Sequence, residues 1–365
     1  VGSTRVGAVA RILTAAGLVL GGPLAAAAPA RADQSVVTAA KPRGGDKERL
    51  LFRFKDPRID ESSGLAVSRL HKGVVYTHND SGAGPQFYAV GPDGATLATF
   101  TVAGAQARDW EAMAASVDPS TGQSVLWFAD IGDNLNGAWP DYSIYKVAEP
   151  TTLRDSTLQA TRYRFRYKDG GRNAEGIMVH PTTGRLYVVS KEFSGSVYEA
   201  PAKLRTDKIN ILRRVGDAPI MATDAAYAPD GSSFVIRTYF SASLYRAPGE
   251  LISKVTMPAL EQAESITYTA DGKSLLTGSE GLHSPVYQVP LPAAVAASGG
   301  ATATPAPTPS HGARPSRVSG VPDASASGAA AGDKDGGVPA GLIALWVGVA
   351  LGATGIIAAI ARRAG

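Results

Sequence analysis

The chain has 365 residues, no cysteine and a formal net charge of +4. Arg5, Arg11, Arg31, Arg362 and Arg363 lie in the two end segments, so the stretch between them has no basic excess and does not read as a nucleic-acid binder. The absence of cysteine excludes disulfides, thiolate metal sites and cysteine nucleophiles, which leaves an apolar core to hold the fold.

In chain order, Arg5 and Arg11 precede an apolar run, and Ala30-Arg31-Ala32 puts small residues where a signal peptidase reads them. Residues 1–32 therefore read as a secretory signal and 33–47 as a disordered segment. The next segment, 48–293, reads as an all-β domain. Its organising feature is a repeated unit, an acid followed by a small residue and an apolar run. The copies are Glu61-Ser62-Ser63-Gly64-Leu65, Glu111-Ala112-Met113, Glu175-Gly176-Ile177, Asp224-Ala225-Ala226 and Glu264-Ser265-Ile266. Such recurrence sets the architecture before any other feature is weighed.

A turn cluster follows most copies, as in Asp118-Pro119-Ser120-Thr121-Gly122, Thr182-Thr183-Gly184, Pro229-Asp230-Gly231 and Ala270-Asp271-Gly272. A second apolar run follows the turn, at 74–78, 125–129, 186–190, 234–238 and 275–279. A third carries a tyrosine each time: Tyr88, Tyr145, Tyr198, Tyr245 and Tyr287. Fourth strands are expected at 97–102, 163–167, 209–215 and 254–257. Three or four antiparallel strands per repeat describe a β-propeller. Five blades are expected; six would need a blade hidden between Asn134 and Asp169. The fifth repeat lacks a fourth strand, and Arg49-Leu50-Leu51-Phe52-Arg53-Phe54 is expected to supply it and close the ring. The tyrosines, and Trp110, are expected to pack between blades.

Residues 294–340, with Thr304-Pro305-Ala306-Pro307-Thr308-Pro309, read as a disordered linker. Residues 341–361 are apolar over about the ~20 residues a membrane helix needs, and the basic tail 362–365 belongs on the cytoplasmic side. The expectation is a single-pass cell-membrane protein with its N-terminal domain extracellular, the membrane itself being one partner through the C-terminal helix.

The starts of first strands and the ends of second strands share one face of such a fold. An inner ring of Glu61, Glu111, Glu175, Asp224 and Glu264 is expected at the channel mouth. Around it lie His78-Asn79-Asp80, Asp130 with Asp133-Asn134, Lys191-Glu192, Arg237-Thr238 and Ser279-Glu280. Clustered carboxylates repel one another unless protonated or neutralised. An oxygen-only set suits Ca²⁺, so Glu61, Glu111, Glu175, Asp224, Glu264, Asp130 and Asp133 are candidate metal ligands. His78, Asp80, Lys191 and Arg237 are candidate ligand-binding groups, and Glu111, Glu175 and Glu264 are candidate catalytic acids. The alternative is structural, each acid capping backbone amides of a neighbouring blade. No His-x-x-His pair occurs, and Glu280-Gly281-Leu282-His283 follows a strand rather than riding a helix, which disfavours zinc.

The motifs Glu61-Ser62-Ser63-Gly64-Leu65, His78-Asn79-Asp80-Ser81-Gly82, Asp109-Trp110-Glu111-Ala112, Asp130-Ile131-Gly132-Asp133-Asn134 and Ala174-Glu175-Gly176 resemble those of a group of secreted bacterial propeller proteins, with the order seen in SdiA-regulated and esterase-like phytase propeller domains. The resemblance implies a Ca²⁺-binding channel mouth that holds phosphate, with Glu61, Glu111, Glu175, Glu264, Lys191 and Arg237 in that role. Three functions are weighed: a membrane-tethered extracellular binding or scaffold module with Ca²⁺ at the mouth; a calcium-dependent phosphoester or ester hydrolase; and, by fold analogy alone, a glycoside hydrolase using paired carboxylates.

Overall fold

The computed structural model describes residues 48–80, 82–135 and 137–292, all within the first of the chain's two compact units. The signal segment, linker, membrane helix and tail expected from the sequence lie outside the described residues.

The described chain is all-β, with twenty strands. A lone β1 (Arg49–Arg53) comes first. Four antiparallel meanders follow: β2 (Ser62–Val67), β3 (Val75–Asn79), β4 (Gln86–Val90) and β5 (Thr96–Ala103); β6 (Trp110–Val117), β7 (Ser124–Asp130), β8 (Tyr142–Ala148) and β9 (Ser156–Tyr167); β10 (Ala174–Val179), β11 (Leu186–Ser190), β12 (Ser196–Glu199) and β13 (Ile209–Asp217); β14 (Ala222–Tyr227), β15 (Phe234–Thr238), β16 (Ser241–Tyr245) and β17 (Leu251–Thr256). The last group has three strands, β18 (Ile266–Tyr268), β19 (Ser274–Gly278) and β20 (Pro285–Pro290), and β1 pairs antiparallel with β20 as its fourth. The strand expected to come from the N-terminal side of the domain is therefore in place. Residues between Asn134 and Asp169 hold β8 and β9, which complete the second group rather than hide another.

The first two strands of each group are buried along most of their length, on both sides, whereas β5 alternates with Ala98, Phe100 and Val102 inward. The hairpins after β6, β10, β14 and β18 turn on Gly122, Gly184, Gly231 and Gly272, all with φ between 65° and 75°. A side chain at those angles would be strained, which is why each turn cluster ends in glycine.

Among the described residues, five apolar clusters lie between consecutive groups. Tyr76, Phe87, Trp110, Phe128 and Tyr145 join the first to the second. Ile144, Phe165, Ile177 and Tyr198 join the second to the third, and Met178, Phe234 and Tyr245 the third to the fourth. Val235, Leu244, Ile266 and Leu275 join the fourth to the fifth. Phe52, Leu65, Tyr88 and Val286 join the fifth back to the first. Full burial of each such side chain contributes about 1.5–3 kcal/mol. Four of the five expected tyrosines face the preceding group in these clusters; Tyr287 is only half-buried. Trp110 is enclosed as expected, stacked on Phe128 at 5.0 Å.

First strands also touch in sequence, β2 to β6, β6 to β10, β10 to β14, β14 to β18 and β18 to β2. Their C-terminal ends line a pocket of about 250 Å³ through Val67, Ala115, Val179, Tyr227 and Thr267. One feature of the outer edge was not expected. The fourth strand of the second group begins at Ser156, not at Tyr163, and its two ends overhang β8. The N-terminal overhang pairs parallel with β5, and the last four residues, Arg164 to Tyr167, pair parallel with β13, which joins three groups into one 12-stranded sheet. Exposed edge groups that would otherwise be unpaired are satisfied this way.

Candidate functional site

The opposite end of the first strands carries the charged groups. There β2, β6, β10 and β14 each have a register shift against the second strand, so one residue is extra: Ser63, Glu111, Glu175 and Thr223. Such a bulge re-aims the side chain it contains. Glu264 precedes β18 at the matching place, since Ser265 pairs with Gly278 through its carbonyl. The equivalent inner positions are thus Ser63, Glu111, Glu175, Thr223 and Glu264. The expected ring of five acids is corrected at two places. Glu61 lies two residues earlier, exposed at the rim. Asp224 lies one residue later and turns into the sheet packing, where its carboxylate accepts the N–H groups of Ala225 (2.7 Å) and of Ile266 in the next group (2.8 Å). Asp224 therefore plays the capping role that was the structural alternative for the whole ring.

A second set follows the second strands. The N–H groups of Asp80, Gly132, Lys191 and Glu280 donate to the carbonyls of Glu61, Asp109, Asn173 and Gln262, at 3.0 to 3.3 Å. These four positions are equivalent, and three of them carry a charge. The Lys191 ammonium lies 2.7 Å from Glu175 and 4.0 Å from Glu264, and 5.0 Å from the Tyr239 ring centre. Ser63 donates to Glu280 at 2.8 Å. Ligand oxygens of Asp80, Asp109 and Glu111 all lie within 4.8 Å of one another, the one group of acids among the described residues that could share a metal ion. Gly132 makes room for it: a Cβ there would fall 2.2 Å from Glu111 Oε1 and 2.4 Å from Asp109 Oδ2.

The electrostatics follow from burial and like charge. Burial, then Glu175, Asp80 and Asp109, push the Glu111 carboxyl well above its usual range. Burial and the Asp130 charge push Asp109 up to about 6, against Arg108. Burial and Glu264 push Glu280 up to about 7, against the Ser63 hydrogen bond. Burial raises Glu175 as well, opposed by Lys191, while Glu175 and Glu264 hold the Lys191 ammonium charged.

Other expected site residues lie elsewhere. His78 is fully enclosed, edge-on to Trp110 at 5.7 Å, with Nδ1 at 2.9 Å from the Asn79 carbonyl; burial holds it neutral, down to about 4. It belongs to the packing between the first two groups and offers nothing to a ligand outside. Arg237 is enclosed too, its guanidinium without a hydrogen-bond partner among the described residues and pushed down to about 10 by burial against the pull of Glu264. Asp130 accepts the Asp109 N–H at 2.9 Å. Asp133 accepts Tyr142 Oη–H at 2.7 Å and the N–H groups of Leu135 and Trp139, which folds the β7–β8 loop. Both acids are spent on structure rather than grouped with the triad.

Asp109, Ser63 and Gly132 stand inside motifs quoted from the sequence but were not named there as site residues, and Tyr239 was not singled out. The signal that could have found Asp109 is its place beside Glu111 in the motif Asp109-Trp110-Glu111. No protein-family profile matches the chain, and no curated protein matches it.

Proposed function

We propose that the five groups of strands are the blades of a five-bladed β-propeller, and that its channel mouth is a recognition site organised by a divalent cation, Ca²⁺ by the chemistry of its donors. The closed succession of first-strand contacts and of inter-sheet clusters supports the architecture. The observation that carries the site is the convergence of Asp80, Asp109 and Glu111 within 4.8 Å, over a glycine whose Cβ would fill the space. Three carboxylates so close repel strongly, and a hard cation with an affinity for about six to eight oxygens relieves that repulsion. On the sequence expectation of a signal, linker and membrane helix, the module is displayed outside the cell on a tether.

A melting curve of the protein with and without millimolar Ca²⁺ tests the reading. At 100 times its Kd the ion adds about 2.7 kcal/mol, a rise in Tm of about 5–10 °C for a domain of this size. Glu111→Gln should abolish the rise. An unchanged Tm in the wild type sinks the proposal.

A second reading, hydrolysis of phosphoesters or esters, is favoured by one observation. Lys191 bridges Glu175 and Glu264, which places an anion-binding ammonium beside carboxyls in a partly dry channel. Release of p-nitrophenol from p-nitrophenyl phosphate or acetate, lost in Glu175→Gln, supports it; rates equal to buffer alone reject it. The glycosidase reading gains nothing here.

A further inference from the structure

Five large apolar side chains stand exposed on the loops that surround the mouth. Leu135 lies in the β7–β8 loop, Phe193 in β11–β12, Phe240 in β15–β16, Leu282 in β19–β20, and Ile220 in the β13–β14 connection. Phe193 is 76% exposed and Phe240 80%, the two most exposed of the large hydrophobics among the described residues. All five positions are on one face, because antiparallel pairing puts the ends of second strands beside the starts of first strands. The two phenylalanines flank the Lys191–Tyr239 contact, so they stand on neighbouring loops. Beside Phe193 opens a cleft of about 880 Å³ that also takes in Lys191, Met221 and Asn134. Met221, next to Ile220, is held at φ 52°, a strained angle for a side-chain-bearing residue. Single exposed apolar residues are ordinary, but a grouping on one face marks a contact surface.

The centre of that face is acidic. Glu111, Glu175 and Glu280 are raised by burial and like charge, yet even with those three uncharged Glu61, Asp80, Asp109 and Glu264 outnumber Lys191 and Arg237 there. We propose that the mouth face is a docking surface for a segment of another protein that presents a lysine or arginine flanked by apolar side chains. The basic group enters the acidic centre, and the flanking residues pack on Phe193, Phe240 and their neighbours, an apolar anchor with a charged partner. The acidic centre disfavours polyanions. A neutral sugar would leave the acidic centre without a charged partner, which favours a basic protein segment over polysaccharide. The inference rests on the mouth assigned above but not on its metal.

The test displays a random dodecapeptide library on phage against the full chain and, in parallel, against the double variant Phe193→Ser/Phe240→Ser. Enrichment of sequences with lysine or arginine between leucine, isoleucine or phenylalanine is expected, with a synthetic copy of the dominant peptide binding the double variant at least about 10-fold more weakly. The double variant should keep its Ca²⁺-dependent rise in Tm, so failure here is separable from failure of the metal reading. Equal enrichment on both proteins overturns the inference, as does selection of acidic peptides. Retention of an oligosaccharide on a glycan array by the wild type and not the variant assigns the face to sugar instead. Sedimentation showing a wild-type dimer that the double variant dissociates gives it to a second copy.

Discussion

Asp109→Asn isolates the electrostatic strain at the mouth. Asparagine keeps the shape, including an oxygen for the Asn134 amide that stands 3.4 Å from Asp109 Oδ2, and removes one charge from the triad. In the folded protein Asp109 is raised from 3.8 to about 6. At about 1.36 kcal/mol per unit this is a penalty of about 3 kcal/mol on its charged form, and screening by water at the mouth reduces it to about 1–2 kcal/mol. A raised carboxyl means that the folded state binds more protons than the unfolded one between pH 3.8 and about 6. Wild-type stability therefore falls as pH rises through that window, and the loss is complete above the folded value. Below the window a protonated Asp109 and an asparagine are alike. Urea unfolding without calcium should find variant and wild type nearly equal at pH 4, and the variant about 1–2 kcal/mol more stable at pH 7 with an unchanged m value. Loss of the Asp109 charge also eases Glu111, whose carboxyl it helps to raise, so the two effects add. With calcium the order should reverse, since the variant lacks a ligand. A variant less stable than wild type at pH 7 without calcium, or a stability difference independent of pH, refutes the reasoning.

Gly132→Ala should cost about 1–3 kcal/mol by overpacking, since its Cβ would lie 2.2 Å from Glu111 Oε1; calorimetry should also show the Ca²⁺ response gone, and a wild-type response would mean the triad is not the cation site. Asp224→Ala strips the acceptor from the Ala225 and Ile266 N–H groups and should destabilise by about 1–3 kcal/mol while leaving the Ca²⁺ shift in Tm intact. A lost shift would return Asp224 to the mouth. Removal of residues 1–53 exposes the β20 edge that β1 covers. Light scattering should then show self-association, and a truncated protein that stays monomeric at full stability would deny β1 its closing role.

The repeat and its strand order were legible because they rest on local chemistry. Apolar runs, a positive-φ glycine at each hairpin and a tyrosine in each third strand recur in sequence just as they do in space. The missing fourth strand after Leu291 and the unpaired Arg49–Arg53 run pointed to each other for the same reason, since backbone groups at an edge need partners. The full length of β9 is not legible locally, because its ends pair with β5 and β13, which lie far away in sequence.

The site was half legible. Sequence alone brought Glu111, Glu175, Glu264, Asp80 and Lys191 to one mouth, since which end of a strand a residue occupies follows from connectivity. It could not resolve which residues are equivalent there, because a bulge adds one residue to one strand and shifts everything before it. Aligned by acid, Glu61 and Asp224 look like members of the ring; aligned by backbone pairing, Ser63 and Thr223 hold those places. Burial was likewise decided only in three dimensions. His78 and Arg237 follow the strand pattern of mouth residues yet are enclosed, whereas Phe193 and Phe240, apolar side chains, stand exposed around an acidic centre. Strand periodicity is a property of the chain, but the neighbours that bury a side chain or leave it exposed come from other sheets.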